Sequence, residues 1–226
     1  SQTIDPRAVL HADDAGEPEH WYFDDRCYGF YWTEGLRGLG WAQDAIPTLK
    51  GGSTVGIPSQ PAIWNPAGRL GRRIVLPALE EAEQMQGFPG GWTDPADEIP
   101  GHKGSRWRLT GNAVTVGVSE WVGRRLRQPG APILEGRPHH NGDRWPAAAF
   151  GANGKVWAAN VSMWPTQEAY RHLHEVVDLP SSQPLSVRAA SGFMSRALRS
   201  KLHFAEGFLE DVADHVAFLS SETSVA

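Results

Sequence analysis

The chain has 226 residues, 40% of them hydrophobic, which is enough for one large or two modest domains with a real core. A net charge of −5 and a pI near 6.0 exclude a uniformly basic nucleic-acid coat protein, so any DNA contact must come from a local patch. The single cysteine excludes an internal disulfide framework and a multi-cysteine metal site, and no apolar run reaches the roughly eighteen residues of a membrane span, so a soluble, cytoplasmic protein without membrane contact is expected.

In chain order, residues 1–25 are polar and acidic, with Asp5, Asp13, Asp14, Glu17, Glu19, Asp24 and Asp25 against Arg7 alone, and read as a connecting segment. The opening Ser-Gln-Thr looks cut from a longer protein. Cys27 to Trp32 is rich in aromatics and bounded by charges, as a strand is. Gly35 to Trp41, Ile46 to Thr54 and Pro61 to Trp64 are dense in glycine or proline and read as loops that turn sharply or approach another molecule. No strand-glycine-helix spacing accompanies Gly35 to Gly40, so a nucleotide-binding loop is rejected.

Arg73 to Pro89 reads as a short strand entering a helix. Pro77 suits its first position, acidic residues crowd its first turns where the dipole favours them, and Gly87 with Pro89 stops it. Arg106 to Val114 reads as a loop that opens into an amphipathic helix carrying Val118, Trp121, Val122 and Leu126. Lys103, Arg106, Arg108, Arg124, Arg125 and Arg127 make this stretch basic, which is either a solvated face or a DNA contact. Further on, Pro146 to Ser162 predicts a β-hairpin around Gly-Asn-Gly, Ser186 is placed to cap a helix with Val187, Ala190, Met194, Ala197 and Leu198 on one side, and a last helix has a stripe of Phe208, Val212, Val216 and Leu219. Both stripes are most simply core.

A Glu-rich helix ending in Gln86-Gly87-Phe88-Pro89, followed about twenty residues later by Gly111-Asn112-Ala113-Val114, resembles the last two sequence motifs of the cytosine-5 DNA methyltransferases. The resemblance implies a loop-rich target-recognition region ahead of these motifs, with a Thr-Leu pair placed against DNA near a flipped cytosine. Thr48-Leu49 stands at that place, beside Lys50, Ser53 and Thr54, residue types that hold phosphates. Arg106 and Arg108 are the other candidate DNA contacts. Gly111, Asn112 and Ala113 would face S-adenosylmethionine; many family members carry a hydroxyl residue where Ala113 stands, and that hydrogen bond is lost here.

The family's nucleophile sits in a Pro-Cys loop, its acid in Glu-Asn-Val, and its cofactor loop is Gly-rich; none of the three occurs in this sequence. Cys27 lies between Arg26 and Tyr28 and reads as a packed thiol. His139-His140, His172 and His174 lack a third ligand at clear spacing and read as surface histidines. The expectation is therefore an α+β chain. It would consist of a connecting segment and a small loop-rich β recognition domain over 1–72, closing motifs in a helical return segment over 73–128, and an appended α/β module of unknown role over 129–226. It would serve a restriction-modification type of system as part of an S-adenosylmethionine-dependent enzyme acting on double-stranded DNA. The catalytic residues would lie on a missing half or partner subunit, leaving this chain inactive alone. A non-catalytic DNA-binding protein and a tryptophan-rich carbohydrate-binding module are the alternatives.

Overall fold

A computed structural model describes residues 4–18, 23–32, 38–49, 60–98, 105–133, 136–140, 142–169 and 171–223. In order they form α1 (Pro6–Leu10), β1 (Tyr28–Trp32), β2 (Leu39–Gln43), β3 (Ala62–Trp64), β4 (Ile74–Leu76), α2 (Leu79–Met85), a 3-10 turn (Asp94–Glu98), α3 (Ser105–Asn112) and α4 (Val116–Arg127). Then follow β5 (Gly136–His139), β6 (Ala149–Ala152), β7 (Lys155–Ala159), α5 (Leu173–Val176), β8 (Gln183–Pro184), α6 (Val187–Ala197) and α7 (Phe208–Thr223). The chain is α+β, with antiparallel sheets. It divides into two compact units, one of residues 1–22 with 115–170, the other of 23–114 with 171–226. These boundaries cut the chain at other places than the 1–72, 73–128 and 129–226 division of the sequence.

In the larger unit a five-stranded sheet runs in the order β2-β1-β3-β4-β8. The aromatic run predicted as a strand is β1, pairing on one side with β2 and on the other with β3. Gly40, read as loop, lies within β2 directly opposite Tyr31, and a Cβ there would overlap the Tyr31 ring. Glycine is thus what lets this strand approach. One face of the sheet presents Phe30, Trp32, Trp64 and Ile74 to Ala190, Phe193 and Ala197 of α6 and to Phe208 and Val212 of α7. The predicted α7 stripe is core, and in α6 Ala190, Met194 and Ala197 are core while Leu198 is 69% exposed and Phe193 fills the face instead. Ser186 caps α6 by accepting the Ala189 N–H at 3.3 Å. The segment 171–223 therefore supplies the cover of the sheet that 28–76 supplies. Trp64 donates from Nε1 to Asp211 of α7 at 2.8 Å, and Arg73 pairs with the same carboxylate.

On the sheet's other side, Cys27, Ile63, Val75, Leu173 and Val177 form a second cluster. Asp44, held at φ 52°, accepts from the backbone N–H of Asp24 (3.0 Å), from the backbone N–H of Leu173 (2.9 Å) and from His172 Nδ1 (2.6 Å). Burial alone would raise this carboxyl, and the bonds from His172, Asp24 and Leu173 outweigh it and hold it low; the same contact raises His172 above its ordinary 6.5. The stabilisation from His172 is therefore complete below about pH 6.5 and is lost as pH rises through the raised value. The gap in unfolding free energy between the chain and His172→Gln should shrink from pH 6 to pH 9 in denaturant titrations; a gap that widens would contradict the assignment.

In the smaller unit, α1 lies against α4, with Gly130 N–H donating to Ala8 O at 2.9 Å and Ile133 N–H to His11 O at 2.7 Å. Residues 6–10, expected within a connecting segment, are thus helical, with Asp5 capping through Arg7 N–H. The predicted hairpin is present as β6 and β7, turned by Asn153 (φ 52°) and Gly154 (φ 70°), and β5 completes the sheet in the order β5-β7-β6. Among the described residues no helix is long and apolar enough to cross a membrane.

Candidate functional site

The segment Gln86-Gly87-Phe88-Pro89 is, in physical terms, a helix stop. Gly87 adopts φ 88°, its N–H reaches Gln84 O at 2.9 Å, and Phe88 N–H reaches Glu83 O at 3.0 Å, the paired bonds of a Schellman cap. Glycine takes this left-handed position without a Cβ penalty, and Pro89 cannot continue a helix. The start of α2 differs slightly from expectation: Pro77 precedes the cap, Ala78 is the cap residue and has no side-chain acceptor, and the Glu81 carboxylate accepts the Ala78 N–H at 2.6 Å.

The second segment departs further. Arg106 to Thr110, expected as a loop, lie in helix α3, which runs on to Asn112, and the amphipathic helix expected to open at Gly111 begins at Val116 as α4. The reason is tertiary. Arg106 is almost buried and its guanidinium meets Glu83 (3.4 Å), Glu80 (3.2 Å), Asp94 (2.6 Å) and Asp97 (3.2 Å), with Nε donating to Thr93 Oγ1 at 3.0 Å. Thr110 in turn donates to Arg106 O at 3.0 Å. Local propensity could not predict these partners.

Glu83 is the centre of this arrangement. Fully buried on α2, it accepts from Gly91 N–H (2.6 Å), from Thr93 N–H (2.9 Å) and from the Thr93 hydroxyl, besides Arg106. Burial would raise its carboxyl, but the bonds from Thr93, Gly91 and Arg106 prevail and hold it below the ordinary carboxylate value. Gln86 Nε2 adds a direct bond to Thr110 O at 3.1 Å. The two motif segments are thus braced on each other by one ion cluster and one amide. Glu83, Gln86 and Thr93 were not among the residues expected at the site. One signal pointed to Glu83: Leu79, Ala82, Glu83 and Gln86 share one helical face, so that carboxylate had to find partners.

Beside this brace lies an apolar hollow of about 300 Å³ walled by Phe88, Trp92, Pro95, Ala96, Leu109 and Ala113. Phe88 and Trp92 stack at 5.6 Å between centroids, and Trp92 is 60% exposed. Gly111 and Ala113 are half-buried at the end of α3, whereas Asn112 is exposed there. The Asn112 amide is thus open to solvent, and Ala113 brings no hydroxyl.

Of the residues expected to meet DNA, Thr48 is exposed, Leu49 is buried, and Lys50, Ser53 and Thr54 lie outside the described residues. Arg108 is exposed on α3. Arg106 is engaged by carboxylates, so a phosphate would have to displace them. Cys27 is buried and its thiol is pushed up to about 12 by burial and by Asp44 and Asp24, so it is not a thiolate at neutral pH. On α4, Val118 and Leu126 are each about half exposed. Among the described residues no group of three or more His, Cys, Asp or Glu side chains is arranged to hold a metal ion.

Compared with known proteins, the chain matches no family model and no solved structure. It is 38% identical over 219 residues to the type II methyltransferase M2.BsuMI of Bacillus subtilis (strain 168), an alignment that takes in 92% of this chain and 54% of that protein. The chain thus spans about half the length of this curated relative.

Proposed function

We propose that this chain is the target-recognition and closing portion of a DNA (cytosine-5)-methyltransferase of a restriction-modification system. The observation that carries the reading is the 38% identity to a type II methyltransferase along nearly the whole chain. It is supported by the way the two motif segments grip each other through Glu83, Arg106, Gln86 and Thr110. S-adenosylmethionine would supply the transferable methyl group. Asn112 would bind it, with the Gly111 and Ala113 backbone beside that amide, while most of its contacts come from the other half of the enzyme.

The catalytic cysteine lies on that other half, because Cys27 is buried and holds its proton. Thr48 and Arg108 contact duplex DNA, along with Lys50, Ser53 and Thr54, whereas Leu49 is buried. The exposed Trp92, Val118 and Leu126 are surfaces that the catalytic half covers. Labelled S-adenosylmethionine and mixed-sequence duplex DNA test the reading. The chain alone should transfer no methyl group, and a mixture with the protein encoded immediately upstream should. Transfer by the chain alone would overturn the assignment of Cys27, and no transfer in the mixture would favour a non-catalytic DNA-binding protein. For the carbohydrate-binding alternative, Trp32, Trp41 and Trp64 are taken by the sheet core, whereas Trp92 and Trp145 are exposed.

A further inference from the structure

The smaller unit carries a concave, cationic surface that none of the motifs explains, and we propose that it holds the sugar-phosphate backbone of duplex DNA. This rests on the function proposed above and adds a second contact surface to it. The register of the three-stranded sheet places Arg137 opposite Ala158 and His139 opposite Val156, so both side chains leave the same face. Trp145, 69% exposed, stacks on His139 with ring centroids 4.5 Å apart, and the exposed Arg144 precedes it. Next to them a hollow of about 630 Å³ is walled by Gly136, Arg137, Pro146, Ala158, Ala159 and Asn160. Among the described residues its wall contains one cation and one amide and no carboxylate.

Three arginines of this unit are held by carboxylates, while Arg127 and Lys155 are exposed without an ion pair among the described residues, away from the hollow. Arg7 is paired with Asp5, Arg125 with Asp13 and Arg124 with Glu168. Arg137 and Arg144 have no ion-pair partner among the described residues, and the acid beside Arg144, Asp143, accepts the His140 N–H at 3.1 Å. In a chain of net charge −5, one unpaired guanidinium in the wall of the hollow and a second two residues before its Pro146 fit a polyanion, and arginine suits phosphate through its fixed fork of donors. An added peptide strand fits less well, because Pro138 on the outer strand β5 has no N–H to offer. Trp145 supplies a flat apolar plate at the rim, where it would lie along the sugars.

Fluorescence anisotropy of a labelled mixed-sequence duplex, titrated over salt concentrations, tests this. Each lost phosphate contact lowers the slope of log K against log salt by about 0.9, so Arg137→Ala with Arg144→Ala should lower it by about 1.8. Affinity should fall alike on unrelated sequences. Removing two exposed cations elsewhere, by Arg188→Ala with Lys201→Ala, should leave the slope unchanged. An unchanged slope in the first variant, an equal drop in the control, no duplex binding by the chain at low salt, or tighter binding of a single strand than of its duplex would each overturn the proposal. Methyl transfer by the mixed halves separates this from the enzyme reading. Transfer with an unchanged slope sinks only the surface, and a reduced slope without transfer sinks only the enzyme.

Discussion

Replacing Arg106 by alanine should lower the unfolding free energy by about 3 kcal/mol, the cost of leaving one member of a buried ion pair without its partner. The lower end of the usual range applies because Glu83 keeps the Gly91 and Thr93 donors. Glu80, Asp94 and Asp97 add little, since each is at least half exposed and water screens its attraction. Denaturant titration at neutral pH checks the size, and a double-mutant cycle with Glu83→Gln should give a coupling of about 1 to 3 kcal/mol. Acid supplies an independent check. Because the folded Glu83 carboxyl lies below its ordinary 4.5, the stabilisation is full above that pH and disappears as pH falls through the depressed value, where native chain and variant should converge. A loss under about 1 kcal/mol at neutral pH would mean that the exposed carboxylates, not Glu83, are the real partners.

The second large effect is expected at Phe30. Its ring is completely buried, with the Phe193 and Phe208 rings at 4.6 Å and 5.0 Å, so it joins β1 to both α6 and α7. Phe30→Ala should cost about 3 to 5 kcal/mol through lost transfer energy and an unfilled cavity. The loss of these edge and tilted ring pairs contributes part of it. Phe30→Leu should recover more than half, because volume matters more than aromaticity at a site closed on all sides. Thermal and denaturant unfolding measure both. If the alanine variant lost little, the helices would not be cover for this sheet.

Elements with a complete local signal were legible in the sequence. The aromatic run of β1, the Asn153-Gly154 turn, the Ser186 cap and the stripe of α7 each depend on residues within a few positions of one another. β2 was hidden because its Gly40 is a loop residue by habit and a strand residue only opposite Tyr31. α3 was hidden because Gly111 and Thr110 weaken a helix that is anchored from outside, through Arg106, by Glu83 and its neighbouring carboxylates. For the candidate site, the wording of the motifs identified the segments, but their mutual brace could not be read, since Glu83 and Arg106 are distant in sequence and meet only once Thr93 and Gly91 have turned back. Arg106 was expected on phosphate for the same reason: a sequence shows a cation but not the carboxylates that fold around it.

The sheet of the larger unit and its covering helices are separated by the greater part of the chain, β1 starting at Tyr28 and α6 at Val187. During synthesis the strands therefore emerge from the ribosome well before anything that can shield Phe30, Trp32 and Trp64. The nascent chain has to keep an oily surface from sticking to its neighbours until the last helix arrives. A gene cut after residue 170 would consequently yield insoluble material rather than a smaller recognition domain.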